Sequence, residues 1–198
     1  MKRKTIIKAV ICLAAAAIAA SFLNGIEYVL LVVLAASLHE AGHIIAAKVM
    51  RVPSAGGFPL PFGLSLKYDF SGVSYQKEAA VSAAGAVFNV AACTVILVLF
   101  PHPGNHAVFF IFSNMSLAFF NLMPVSPLDG SGILRAVLCI FFEPRTAFRA
   151  ASWVSAVFSA AFFVFTVYIQ LRIGANLSLM FISVFLLYNA ASNVKSAK

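Results

Sequence analysis

Acidic side chains are scarce in this sequence. Asp and Glu together number 6 in 198 residues, and charged residues of both signs make up 10% of the chain. Soluble domains carry about 25%, so so few charges cannot cover a water-facing surface. A disulfide framework is also missing. The 3 cysteines, Cys12, Cys93 and Cys139, fall inside apolar runs without metal-type spacing and read as small buried hydrophobes. Internal repeats and low-complexity linkers are absent too. What remains is 62% hydrophobic, with 20 Phe and a mean hydropathy of +0.98. That composition describes an all-α polytopic membrane protein, expected to form a single integral-membrane domain over residues 1–198.

Apolar runs and helix breakers predict about six spans, each long enough to cross a bilayer. They cover residues 6–22, 26–50, 78–100, 107–142 (broken near 124–130), 151–171 and 173–190. Lys2-Arg3-Lys4 ahead of the first run suits either a retained helix or a cleaved signal peptide, and the length of the run favours retention. Pro53, Gly56, Gly57, Pro59, Pro61 and Gly63 exclude a continuous helix after the second span. There Ser65, Lys67 and Asp69 alternate with apolar residues, which predicts a short strand-like or re-entrant segment. A basic loop, Glu143 to Arg149, precedes the fifth span. With the N-terminus inside, all of the 14 Lys and Arg except Arg172 lie on the cytoplasmic side or at its helix ends, as the positive-inside rule expects. The net charge of +8 therefore sets topology and meets anionic lipid; no nucleic-acid partner is implied. The expected location is the cell membrane, with both termini cytoplasmic.

His39-Glu40-Ala41-Gly42-His43 stands inside the second span. On a helix, residues four apart differ by roughly 40° of rotation, so both imidazoles leave one face. Such a pair can take two corners of a zinc tetrahedron, with Glu40 reaching the open corner where a water sits. Ionisable groups at membrane depth are costly and mark function, although a structural pair of core histidines has the same spacing. His102 and His106 repeat that spacing in a Pro-Gly turn, with no carboxylate near in sequence, and serve as a decoy.

A catalytic zinc needs a third protein ligand, and few acids are available. Glu27, Asp69, Glu78 and Glu143 each read as boundary or loop charges. Asp129 follows two prolines, in Asn121-Leu122-Met123-Pro124-Val125-Ser126-Pro127-Leu128-Asp129-Gly130. Broken backbone at membrane depth is tolerated where it is buried in protein or lines a cavity, and Gly130 allows close backbone approach. The competing account is a cytoplasmic Pro-x-Asp-Gly turn. Depth favours the ligand. The histidines lie roughly 10 to 16 Å from the cytoplasmic end of their helix, and Asp129 comes late in a span running the same way.

Together, H-E-x-x-H and N-x-x-P-x-x-P-x-D-G resemble the site-2 protease family of intramembrane zinc metalloproteases. Phe58-Pro59-Leu60-Pro61-Phe62-Gly63 resembles the loop after the active-site helix in the branch containing stage IV sporulation protein FB. Ser82 to Asn89 resembles the family's A-G-P-x-x-N stretch, with Ala86 where proline is usual. Asp129-Gly130 is followed by Ser131-Gly132, where the family commonly has Gly and a basic residue. The resemblance implies that His39, His43 and Asp129 bind one Zn²⁺ and that Glu40 is the catalytic base. Asn121, Asn89 and Gly85 become candidates for binding substrate; Asn89 suits equally the orientation of a ligand or an interhelical contact. It also implies a transmembrane protein substrate, such as an anti-sigma factor, a pro-sigma factor or a signal-peptide remnant. A membrane regulator of access is a further implied partner. The alternatives are a prenyl-protein-processing type of protease with Glu78 as third ligand, a metal transporter, and a catalytically silent membrane chaperone on the same fold.

Overall fold

The computed structural model describes residues 25–60, 63–173 and 177–196; the first apolar run, 6–22, lies outside them. Among the described residues the order is α1 (Ile26–Met50), β1 (Ser54–Leu60), β2 (Gly63–Tyr68), α2 (Tyr75–Leu99), α3 (Asn105–Asn121), α4 (Asp129–Phe141), α5 (Pro144–Ile173) and α6 (Leu177–Ser196). The all-α membrane architecture expected from composition is what the chain adopts. Three of these helices, α1, α2 and α5, are long and apolar enough to cross a membrane. Their outer faces are apolar: Val49 is 75% exposed, Val98 72% and Leu171 80%. Patches of that kind need lipid rather than water against them.

The chain groups into two compact units, residues 1–71 with 84–119, and residues 72–83 with 120–198. In the first, α1 ends where Arg51 turns left-handed (φ 57). The Val52 N–H then reaches back 2.8 Å to the Ala47 carbonyl, and Pro53 prevents continuation. The strand-like segment predicted after this helix is an antiparallel hairpin. Gly56 pairs with Lys67, Phe58 with Ser65 and Leu60 with Gly63, and β2 packs on α1. Asp69 accepts a 2.9 Å bond from the Ser71 N–H. The Ser71 side chain and N–H together hold its carboxyl below the usual range, as expected of a loop charge. Glu27 was read as a boundary charge and His106 as a turn residue, yet the two meet at 3.0 Å. His106 lies on α3, which begins at Asn105.

In the second unit the predicted break of the fourth span is real. Helices α3 and α4 are separate, joined by residues 122–128 with a cis Ser126–Pro127 bond. The polar backbone of this link is satisfied. Val125 N–H bonds to Met123 O (2.7 Å), Leu128 N–H to Val125 O (2.8 Å), and Ser126 N–H to the Ser155 hydroxyl (2.9 Å). The Asn193 amide donates to Ser126 Oγ at 2.8 Å. Backbone buried this way can leave the helical ladder without stranding donors. Gly130 permits the close return of the chain, since a Cβ there would stand 2.2 Å from the Leu122 carbonyl oxygen.

One boundary differs from expectation. The basic loop predicted over Glu143 to Arg149 is largely helix, because α5 begins at Pro144. Proline is favoured in a helical first turn, where its missing N–H has no intrahelical acceptor to lose. Helices α5 and α6 meet through small residues: Ser155, Ser159, Thr166, Ser183 and Ala190 are buried, and Thr166 Oγ1 donates to Ser183 Oγ at 2.9 Å. Such residues bring membrane helices close and pair their own polar atoms.

Glu78 is buried at the start of α2 and paired with Arg135 of α4. Replacing Arg135 by Met leaves a buried carboxylate without its cation. The expected cost is about 2 kcal/mol, read as a lower unfolding midpoint in detergent. Glu78→Gln should cost less, because the amide oxygen still accepts.

Candidate metal centre

Helix α1 has apolar side chains on most of its circumference, and its buried face is Ala35, His39, Gly42, His43 and Ala47. This is the i, i+4 ridge that the motif spacing demands. His39 and His43 are 5% and 7% exposed. Their rings stand nearly perpendicular, with planes 80° apart, and the two Nε2 atoms are 3.2 Å apart. Two nitrogens bound to one tetrahedral zinc at its usual bond length are separated by roughly 3.3 Å. The pair therefore has the bite of a metal chelate.

The tautomer of His39 can be deduced from its neighbours. The Phe110 carbonyl can only accept, so Asn114 presents Nδ2 to it (2.9 Å) and turns Oδ1 toward Asn89. Asn89 must then donate from Nδ2 to Asn114 Oδ1 (2.9 Å), and the same Nδ2 reaches the Ala35 carbonyl at 3.3 Å. That leaves Asn89 Oδ1 facing His39 Nδ1 at 2.9 Å, as an acceptor that requires Nδ1–H. A neutral imidazole protonated at Nδ1 has a bare Nε2 lone pair, which is the state a metal ligand needs. Both Asn are wholly buried. Asn114 escaped the sequence reading; the signal available was an amide in the middle of an apolar run, where polar side chains seldom stand unpaired.

Gly85 on α2 faces the same pair. A Cβ at that position would lie 2.4 Å from His43 Nε2 and 2.7 Å from His39 Nε2. Only a residue without a side chain leaves space where the two nitrogens converge. Its placement against the imidazoles explains the glycine without a substrate contact. For Asn89 the structure supplies both remaining roles at once, since it orients His39 and ties α1, α2 and α3 together.

Tyr68, at the end of β2, has a buried hydroxyl without a hydrogen-bond partner among the described residues. Burial, and then the charge of Glu40, push its pKa up. It stays a neutral donor near the motif acid at any physiological pH.

Asn121 ends α3 and Asp129 opens α4, both in the second unit. Asp129 is half-buried in the first turn of its helix, where the helix dipole favours an ionised carboxylate. The Pro-x-Asp-Gly turn considered from sequence is thus a helix start. His102 and His106 form no second pair of ligands, since His106 is engaged with Glu27.

With this geometry in hand, comparison with known proteins is informative. The model of peptidase family M50 matches residues 102–166, a stretch containing Asn121 and Asp129. Among solved structures, a site-2 protease from Methanocaldococcus jannaschii superposes with a TM-score of 0.68. The match has 22% identity and covers 93% of this chain and 87% of that one. No curated protein matches the chain. The chain therefore shares the fold of that site-2 protease, and residues 102–166 are similar to peptidase family M50, in line with the family its motifs resemble.

Gly85→Ala should abolish high-affinity zinc binding with helical content unchanged, as measured by metal analysis and circular dichroism. Asn89→Leu removes the hydrogen-bond partner of His39 Nδ1 and, if His39 holds zinc, should weaken its binding about 10- to 100-fold in a competitive chelator titration.

Proposed function

We propose that this chain is an intramembrane zinc metalloprotease that hydrolyses a peptide bond in or near a transmembrane segment of a membrane-protein substrate. The observation that carries the reading is the buried His39–His43 pair, with Nε2 atoms 3.2 Å apart in a helix long and apolar enough to cross a membrane. In this reading His39, His43 and Asp129 are the ligands of one Zn²⁺. When bound, zinc supplies Lewis acidity, polarising the scissile carbonyl and lowering the pKa of water toward about 7.

The chain's own residues do the remaining work. Glu40 accepts a proton from the attacking water and returns it to the leaving amine. Asn89 holds His39 with Nε2 bare. Asn121 is assigned to the substrate backbone. A helical substrate hides its carbonyls and must unwind before attack. The β1–β2 hairpin packs on the motif helix and has no third strand among the described residues, so it offers an edge on which an unwound segment can add as a strand. In this reading both termini and the released product are cytoplasmic, and the resemblance of Phe58–Gly63 to the sporulation-type branch supports a protease of that branch. The prenyl-processing alternative loses its ligand, because Glu78 is already paired with Arg135.

The test is zinc content and cleavage of a tagged model transmembrane substrate. Wild type should bind one zinc and cleave. Glu40→Gln should keep zinc and lose at least about 100-fold in rate, and Asp129→Ala should lose zinc. A wild type without zinc sinks the protease reading; a zinc-binding wild type that cleaves no better than Glu40→Gln points to a transporter or chaperone. For the hairpin, proline substitutions from Leu64 to Asp69 remove strand donors and should cut cleavage while zinc stays bound. Unchanged cleavage in folded variants would rule out strand addition.

A further inference from the structure

Tyr68 presents an unused donor beside the motif helix. Its hydroxyl is buried and has no hydrogen-bond partner among the described residues. Buried polar atoms are nearly always paired, and an orphan lowers stability unless some other demand keeps it. The backbone that carries it is firmly placed. Arg51 turns the chain left-handed at the end of α1, and β2 packs back on that helix. At the base of the hairpin Tyr68 pairs with Ser54, and the Asp69 N–H donates to the Pro53 carbonyl at 2.9 Å. The register slips between Ser54 and Gly56, a bulge next to the tyrosine's own pairing position. Bulges re-aim a side chain and gather beside active sites. The Phe70 ring, two residues on, stands 6.3 Å from the Tyr68 ring.

Burial, and then the charge of Glu40, keep the phenol protonated, so it stays a donor. Peptide hydrolysis calls for one in that neighbourhood. As the water oxygen bonds to the scissile carbon, Glu40 takes a water proton and the carbonyl π pair moves onto oxygen. Negative charge thereby leaves the Glu40 carboxylate and appears on the former carbonyl oxygen. The C–N bond then breaks, the carbonyl re-forms, and the proton held by Glu40 goes to the leaving amine. Tyr68 keeps its own proton throughout. We infer that Tyr68 donates its O–H to the scissile carbonyl oxygen as that oxygen gains charge, which makes it a further catalytic residue. The inference rests on the protease reading. A donor already in place, in surroundings poor in water, stabilises developing charge without having to reorganise. Catalytic bonds commonly tighten only when substrate is present, which accounts for a hydroxyl left unpaired in the resting protein.

Tyr68→Phe removes the oxygen and keeps the ring. The full-length variant should retain its zinc and unfold in detergent at a midpoint no lower than wild type, because the lost hydroxyl had no partner. Its kcat on the tagged model substrate should fall roughly 100-fold or more with KM little changed. Affinity for a phosphinic peptide of the mapped cleavage sequence, whose tetrahedral phosphorus carries an anionic oxygen, should fall by a similar factor. Tyr188→Phe, at an exposed tyrosine of α6, should change none of these. A Tyr68→Phe enzyme with wild-type kcat overturns the proposal, as does unchanged affinity for the phosphinic peptide. A lowered midpoint or lost zinc marks the hydroxyl as structural, and a raised KM at wild-type kcat marks it as a ground-state contact; either result overturns the catalytic role. A wild type that neither binds zinc nor cleaves overturns the protease reading and this proposal with it. An active wild type matched by Tyr68→Phe overturns this proposal alone.

Discussion

The hydrogen-bond chain from the Phe110 carbonyl through Asn114 and Asn89 to His39 is the constraint on which the rest depends. Each amide has two chemically different ends, so a carbonyl at one terminus dictates which atom faces the next residue along the whole relay. The relay crosses three helices and finishes by stating which nitrogen of His39 carries the proton. In a low-dielectric interior these bonds are strong, and leaving one donor or acceptor unmade is correspondingly costly. Packing of α1, α2 and α3 and the tautomer of the neutral motif histidine are therefore one problem with one solution. Gly85 completes it by leaving room where the imidazoles converge.

The membrane imposes the second condition. Apolar side chains face outward, and polar ones have to be used up inside. The chain meets this with small hydroxyl residues between α5 and α6 and with Ser155 and Asn193 at the broken link before α4. That link carries Pro124 and Pro127. Its backbone is held by side chains instead of by a helical ladder. Asp129, the first residue of α4, is presented where this link ends. A cavity beside it is lined in part by Ser126 of the link and by Arg135, Arg145 and Arg149.

Much of this could be read directly. The apolar runs located α1, α2 and the start of α3 closely and placed α6 four to six residues early, the glycine-proline stretch marked the hairpin, and the two prolines marked the break before Asp129. The start of α5 was misplaced because Arg145 and Arg149 resemble a loop by charge, whereas Pro144 at a helical first turn and burial of Ala147 and Ala151 make them the beginning of a span. Glu27 and Glu78 looked like isolated boundary charges. Their partners, His106 and Arg135, are 79 and 57 residues away, a separation at which no local pattern in the chain carries information. Asn114 did carry a local signal, an amide inside an apolar run, but its partner Asn89 is 25 residues away.

By itself the sequence determined the class of environment, the spacing that puts His39 and His43 on one helical face, and the chemical identity of the candidate ligands. Those properties follow from composition and from the fixed 3.6-residue repeat, which any helix obeys regardless of its neighbours. Only the tertiary structure decided the 3.2 Å approach of the two nitrogens, the tautomer of His39 and the reason Gly85 cannot carry a side chain. These depend on which helix lies against which, and at what distance. That relation is set by long-range packing and by satisfying every buried polar atom at once, which no stretch of chain can specify alone.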